Sequence, residues 1–189
     1  MRKKIILGIF ILAAIVGAVY FNKNYAVLEG QYGNHFAVRV DTAWILDKNG
    51  NNKIVKCTPN LKKLTKLEKL WLAADENMNL DCLSEMEELY SLEIFYFDGY
   101  CGRLETLPEL PNLRNVALFD ALDNEDTFTI FAENKYVQYL ELRYFDYVDF
   151  NSLNYFKKLR TLELWNVVNG LTEEQIEELQ SRGINVEIV

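Results

Sequence analysis

The sequence predicts an α/β solenoid, an arc of stacked repeats whose short parallel strands form the concave side. The main evidence is a short leucine pattern with six copies that begin 22 or 24 residues apart, at positions 67, 89, 113, 137, 159 and 183. Spacings in this range are typical of stacked repeats. Apolar residues also recur every three positions between the copies, and one segment near the C-terminus has the start and stop signals of a helix.

Residues 1–21 have the pattern of an export segment. Three basic residues precede an uninterrupted apolar run at residues 5–21, and such a start is typical of exported proteins. Two outcomes are open: cleavage after Ala18 would release a secreted protein, and an uncleaved run would remain as a membrane anchor at the short end of what spans a bilayer. The apolar character continues past Ala18 through Phe21, which favours the anchor.

The exported part is strongly acidic. Three of the 20 basic residues and none of the 28 acidic residues lie within residues 1–21, so the remainder has 17 basic residues and a net charge of −11. This charge argues against nucleic acid and anionic membrane surfaces as partners. It mildly favours a basic protein partner.

The three cysteines are Cys57, Cys82 and Cys101. Export permits disulfides, and Cys57 and Cys82 are about one repeat apart, so they could lie on neighbouring units. Their distances to the next repeat start differ, however, which favours three buried free thiols. No C-x-x-C occurs, so we expect no zinc or redox site and no cofactor.

Residues 22–34 are polar and predict a linker. Residues 35–60 predict an N-terminal cap, which a repeat stack needs to cover its first apolar flank. Within the cap, residues 44–46 and 53–56 flank a turn-rich stretch with an Asn-Gly pair and predict a hairpin.

Residues 61–189 form the repeats. In each copy the two leucine positions of the strand, such as Leu70 and Leu72, point inward by the two-residue alternation of strands. The returning segments have apolar residues every three positions, as in Leu61 and Leu64, which predicts turns and 3₁₀ segments on the convex side.

The last return predicts a helix from about Glu173 to Arg182. Thr172 and Gln175 have the spacing of a capping box, and Gly183 can supply the left-handed stop. A final strand follows at residues 184–188.

Together these repeats resemble the leucine-rich repeat family of bacterial exported proteins. The likeness covers about residues 61–189, and the closing sequence LTEEQIEELQSRGINVEIV resembles the last repeat of many bacterial members. The resemblance implies a curved parallel sheet that binds proteins on its concave side. Family repeats place Asn or Cys three residues after the last strand leucine; here those positions hold Asp75, Phe97, Ala121, Phe145 and Val167. We expect aromatic packing to replace the missing asparagine ladder.

The predicted function is non-enzymatic protein binding through the concave face. Strand alternation places a column of glutamates beside a column of aromatic residues on that face, and large aromatic residues are favoured at interface centres. We expect a monomer. The predicted partner-binding residues are Trp71, Glu93, Phe95, Phe119, Glu141, Arg143, Glu163 and Trp165.

Two alternatives belong to other classes. The strand from Ile184 could form an open sheet edge that pairs with another chain in a structural or assembly role. Glu141 and Glu163 would lie on adjacent strands, at a spacing like that of retaining glycosidases, which suggests a protein that binds or cleaves carbohydrate. An open sheet lacks the enclosing pocket that a sugar ring needs, and His35 has no nucleophile partner, so we predict no catalytic residues.

Overall fold

The computed structural model of the protein describes residues 2–74, 79–96, 107–119 and 128–189, with side chains from residue 13 onward except at Tyr96. The helices and strands in these ranges are α1 (Arg2–Asn24), β1 (Tyr25–Glu29), β2 (His35–Arg39), β3 (Ile54–Lys56), β4 (Lys69–Ala74), β5 (Ser91–Tyr96), β6 (Asn115–Phe119), β7 (Tyr139–Arg143), β8 (Thr161–Trp165), α2 (Glu173–Ser181) and β9 (Asn185–Ile188).

Strands β3 to β9 form one parallel sheet in chain order, with seven strands. The register follows the sequence pattern without slippage from β4 to β9, because each strand places its inward residues against those of the next. A one-residue slip would move every leucine to the other face, so the buried pattern fixes this register. The predicted α/β class with parallel strands is confirmed.

The core is a row of leucine-type side chains along one face of this sheet. Leu70 and Leu72 are buried, as are their register partners Leu92 and Ile94. Burying each such side chain contributes about 1.5–3 kcal/mol, and no single unit has enough of them to offset its own ordering entropy. The units therefore stabilise one another through this shared core.

In the described part of the chain, 3₁₀ segments lie between the strands, as predicted. They lie at Pro59–Lys63, Asp81–Leu83, Thr129–Phe131 and Asn151–Tyr155. Leu61, Leu64 and Leu67 show the three-residue spacing and are all fully buried. A 3₁₀ helix has three residues per turn, so this spacing keeps the leucines on the core side.

The C-terminal helix α2 is also confirmed. The Thr172 hydroxyl accepts from the Gln175 backbone N–H at 3.3 Å, and the Gln175 side chain accepts from the Thr172 N–H at 2.9 Å. Gly183 has a φ of 82°, where a side chain would be strained, and it turns the chain into β9.

The N-terminal region differs from the predicted linker and cap. Residues 22–24 complete α1, and residues 25–29 form β1, which pairs antiparallel with β2. Ala26 and Leu28 on β1 are fully buried in the core. The cap therefore begins at Tyr25. Ala26 and Leu28 are alternate residues of β1, so both lie on the face of this strand that packs against the core.

The predicted hairpin at residues 44–56 is reduced to a loop closed by one bridge between Leu46 and Asn52. Asp47 Oδ1 accepts from the backbone N–H groups of Asn49 and Asn51 at 2.7 and 3.0 Å, which fixes the turn. Strand β3, the expected second arm of the hairpin, joins the large sheet beside β4 instead.

Among the residues whose side chains are described, no helix is long and apolar enough to cross a membrane.

The expectation of three free thiols was wrong for two of them. Cys57 and Cys82 form a disulfide, with their Cα atoms 5.8 Å apart. Cys57 follows β3 and Cys82 lies in the 3₁₀ segment after β4, so the bond joins neighbouring connections. The prediction was wrong because it required the two cysteines to hold equivalent repeat positions, which a bond between adjacent connections does not need. Cys101 lies outside the described residues.

An asparagine bridge lies on the returning side of the units, not after the strands. Asn134 is buried; its Oδ1 accepts from the Leu110 N–H at 2.8 Å, and its Nδ2 donates to the Pro108 carbonyl at 3.1 Å. One amide thereby satisfies two backbone groups of the preceding connection.

Aromatic packing occupies the space behind β7. Phe145 and Phe128 lie 6.4 Å apart between ring centroids, and Phe156 contacts Phe128 at 5.7 Å and Phe131 at 5.4 Å. Phe145 holds one of the five positions where the family resemblance expects an asparagine, and it is 1 % exposed. Asp75, Phe97 and Ala121, at three of the others, lie outside the described residues.

Candidate functional site

The sheet face opposite the leucine core, here the outward face, brings the predicted binding residues together. Its first column runs through Trp71, Glu93, Ala117, Glu141, Glu163 and Glu187. Its second column runs through Ala73, Phe95, Phe119, Arg143 and Trp165. Every member is in register with the next, because the six sequence copies keep the same strand phase.

Rings and one guanidinium form a continuous ladder across five strands. The ring ladder consists of Trp71, Phe95, Phe119, Arg143 and Trp165. Trp71 and Phe95 have ring centroids 5.4 Å apart, and Phe95 stacks on Phe119 at 4.3 Å. Neighbouring parallel strands are about 4.8 Å apart, which is close to a ring-stacking distance. Planar groups at the second-column position of β5 to β8 therefore stack in the strand-pairing direction, and Trp71, from the first column, packs tilted against Phe95.

Arg143 occupies a ring position within the ladder. Its guanidinium carbon lies 5.0 Å from the Phe119 centroid and 4.5 Å from the Trp165 centroid. The same guanidinium forms an ion pair with Glu141, two residues earlier on β7. A planar guanidinium can stack between rings and donate to a carboxylate at its edge at the same time, which an ammonium cannot do.

The carboxylate column consists of Glu93, Glu141, Glu163 and Glu187, and its members differ in their partners. Glu141 is 9 % exposed and forms an ion pair with Arg143. Glu163 accepts from the indole nitrogen of Trp165 at 3.2 Å. Glu187 accepts from Asn185 Nδ2 at 2.6 Å. Glu141 alone in this column has a cationic partner among the described residues.

Burial raises the pKa of two groups on this face. It raises the pKa of the Glu93 carboxyl, and the Trp71 indole opposes that change by favouring the charged form. The Trp71 indole nitrogen is buried and makes no hydrogen bond of full geometry in the described part of the chain. It therefore favours the charged Glu93 carboxylate because it lies near that group. Burial, followed by the nearby Glu163 and Glu141 carboxylates, raises the pKa of the Tyr139 hydroxyl far above its ordinary value.

Tyr139 is a site residue that the sequence reasoning did not select. It lies on the outward face, in register with Asn115 and Thr161, and its hydroxyl donates to Glu141 Oε2 at 3.3 Å. Its position two residues before Glu141 on the same strand could have identified it, since alternate residues of a strand share a face.

The turns after β7 and β8 share an unusual backbone position. Tyr144 and Asn166, at the same register, have φ angles of 61° and 50°. The Tyr144 N–H donates to the Trp165 carbonyl at 2.9 Å, which ties the end of β7 to β8. Asparagine adopts this left-handed conformation readily and tyrosine does not, so Tyr144 is the strained member.

An open groove of about 310 Å³ lies at the N-terminal ends of β4 and β5. It is lined by Glu68, Lys69, Glu88, Tyr90 and Asn112. None of the predicted site residues contributes to it.

The geometry of the outward face gives no support to sugar stacking along β5 and β6. Phe95 and Phe119 are stacked on each other, so they present ring edges and not open ring faces. Among the described residues, no group of three or more metal-ligating side chains lies together.

Comparison of the chain with family models gives no match, and neither does comparison with curated proteins.

Proposed function

We propose that this protein is a leucine-rich-repeat-type solenoid that binds a protein partner through its outward face, without catalysis. The observation that supports this best is the ring ladder beside a carboxylate column, because both are partly exposed on one face of the sheet. Ring edges supply apolar contact area, and the uncompensated carboxylates select a partner with basic side chains. The chain-order parallel sheet with 3₁₀ connections supports the solenoid.

The repeats are proposed to lie outside the cytoplasmic membrane. The basic and apolar start of the sequence supports export, and so does the disulfide between Cys57 and Cys82, since disulfides persist in oxidising compartments. Intact-mass measurement of the mature protein distinguishes a retained anchor from cleavage after Ala18. An unprocessed protein with free Cys57 and Cys82 thiols in the native membrane would contradict export.

The binding proposal is tested by crosslinking and pull-down with the full-length protein from its native membrane. We expect Phe119→Ser and Trp165→Ser each to reduce capture of the partner by at least about tenfold, since large interface aromatics commonly contribute 1.4 kcal/mol or more. Tyr32→Ser is the matched control, because Tyr32 is 88 % exposed and lies on the β1–β2 turn. Undiminished capture by both serine variants, with unchanged circular dichroism, would exclude this face.

Assembly through β9 is a second candidate function. Ile188 is in register with the core residue Leu164 but is 67 % exposed, and Val189 beside it is 55 % exposed. An apolar edge strand of this kind is suited to pairing with another chain. Light scattering of the full-length protein distinguishes the two functions, because edge assembly requires a concentration-dependent increase in mass and face binding does not.

A further inference from the structure

The ring ladder ends at Trp165, whose indole is partly exposed and has no ring or cation stacked on its β9 side among the described residues; this side is called its open face. The guanidinium of Arg143 covers the face toward β7, with its carbon 4.5 Å from the ring centroid. On the side toward β9, the ladder position belongs to Val189: its N–H donates to the Leu164 carbonyl at 2.9 Å, and its carbonyl accepts from the Asn166 N–H at 3.3 Å. A valine cannot stack on the ring as the neighbouring ladder members do, and its side chain is 55 % exposed.

Two carboxylates flank this open ring face without a cation. Glu163 and Glu187 are register partners on β8 and β9. Each accepts a hydrogen bond from a neutral donor on its own strand, Trp165 for Glu163 and Asn185 for Glu187. Neither carboxylate forms an ion pair with any residue in the described ranges, so two negative charges remain uncompensated about one strand spacing apart.

The chain itself shows how the outward face holds a cation. At Arg143, a guanidinium stacks between the rings of Phe119 and Trp165 and pairs with Glu141. One strand further on, the ring face and the carboxylates recur, but Val189 holds the ladder position and supplies no cation. The arrangement that binds Arg143 is therefore repeated at the end of the ladder with its cation missing.

We propose that the Trp165 corner, formed by Trp165, Glu163 and Glu187, binds an arginine side chain of the protein partner. The guanidinium stacks on the open face of the indole, above Val189, and donates to the Glu163 and Glu187 carboxylates. Arginine fits better than lysine, because a planar guanidinium stacks on an indole and presents several donors in one plane. This inference rests on the proposed function, whose anchoring contact it identifies.

The probe is a hexa-arginine peptide with neutral ends, titrated into the full-length protein in detergent micelles. The indole N–H signal of Trp165 in the ¹H–¹⁵N spectrum reports binding separately from those of Trp44 and Trp71. We expect the Trp165 signal to shift the most. Hexa-lysine should bind several-fold more weakly, since an ammonium stacks poorly and is strongly hydrated.

Glu187→Gln is the deciding variant. Glu187 is exposed, so its loss leaves the core intact, and we expect it to weaken hexa-arginine binding by about threefold, as for one exposed ion pair. Glu177→Gln is the matched control, because it removes the same charge from an exposed site on α2. In isothermal titration calorimetry, which does not need the Trp165 signal, Trp165→Leu should weaken hexa-arginine binding by about fivefold through loss of the cation–π contact.

Equal weakening by Glu187→Gln and Glu177→Gln would overturn the proposal, because it would mean that the peptide binds the acidic surface diffusely. A largest shift at Trp44 or Trp71 would also overturn it. The proposed function fails separately: if Glu187→Gln leaves native partner capture unchanged while Phe119→Ser abolishes it, the corner is wrong and the binding face stands. If capture survives both variants, both proposals fail.

Discussion

The two halves of the outward face are built from different interactions. From β4 to β6, Trp71, Phe95 and Phe119 pack ring against ring, at 5.4 and 4.3 Å between centroids. From β7 to β9, the ladder continues through Arg143 and Trp165, beside three of the four carboxylates in the column. The strand spacing and register are the same in both halves, so the difference comes from the side chains alone.

The side chains of the first half therefore contribute mainly to folding, and those of the second half are the ones available for the proposed recognition. In the first half each ring packs against the ring on the neighbouring strand, so the rings contribute to the stability of the fold. In the second half one cation is shared between rings, and two carboxylates and one ring face are left over. The proposed partner would therefore gain more binding free energy at β8 and β9, where two carboxylates have no cationic partner among the described residues, than at β5, where the ring faces are already covered.

The largest expected effect is on the first half, which the Cys57–Cys82 disulfide holds together. The bond closes a loop over a sequence separation of 25 residues, and bonds of this kind stabilise by about 3 kcal/mol. We expect Cys57→Ser with Cys82→Ser to lower stability in urea by about that amount. Hydrogen exchange should accelerate in β3 and β4 and remain unchanged in β8. Uniform acceleration across all strands would show that the two halves unfold together.

Arg143→Leu is the next prediction, and it targets the second half. The variant keeps an apolar group in the ladder but leaves the nearly buried Glu141 carboxylate without its cation. Such losses cost about 2 kcal/mol, and Arg143→Lys should recover only part of this, because an ammonium cannot stack as a guanidinium does. Urea unfolding of the three proteins checks this. Equal stability of all three would mean that the ion pair and stack contribute nothing.

Tyr144→Asn should have a smaller effect of opposite sign. Asn166, at the same register one strand later, adopts the left-handed conformation with less strain than Tyr144. We expect the variant to gain about 1 kcal/mol in unfolding free energy. Asn166→Tyr is the reciprocal control and should lose stability. A destabilised Tyr144→Asn variant would show that the exposed tyrosine ring contributes contacts that outweigh its strain.

The smallest effect concerns pH and returns to the first half. Burial raises the folded-state pKa of Glu93 above 4.5, its ordinary value, so protonation favours the folded state. The stability linked to Glu93 is fully present below the ordinary pKa and is lost as the pH rises through the folded-state pKa. Glu93→Gln should therefore be slightly more stable than the wild type at pH 7, with the difference disappearing below pH 4. Glu163→Gln is the comparison variant, and a larger gain there would contradict this assignment.

The sequence predicted the sheet and its C-terminal end well and its N-terminal end poorly. The register of Glu93, Glu141 and Glu163 was predictable because residues at one repeat position must share a face once the leucines are buried. The hairpin from Tyr25 and the disulfide from Cys57 were not, because both lie before the first repeat. No periodicity constrains the chain there, and contacts between distant residues decide the structure.

The sequence by itself determined the number of strands from β4 onward, their parallel order and which side chains occupy the outward face. The physical reason is local: the two-residue strand alternation and a repeat of 22 or 24 residues leave one arrangement that buries every leucine. Only the tertiary structure decided that Arg143 lies between two rings and that Trp165 keeps an open face. These facts depend on side-chain directions across adjacent strands, which a column of letters does not specify.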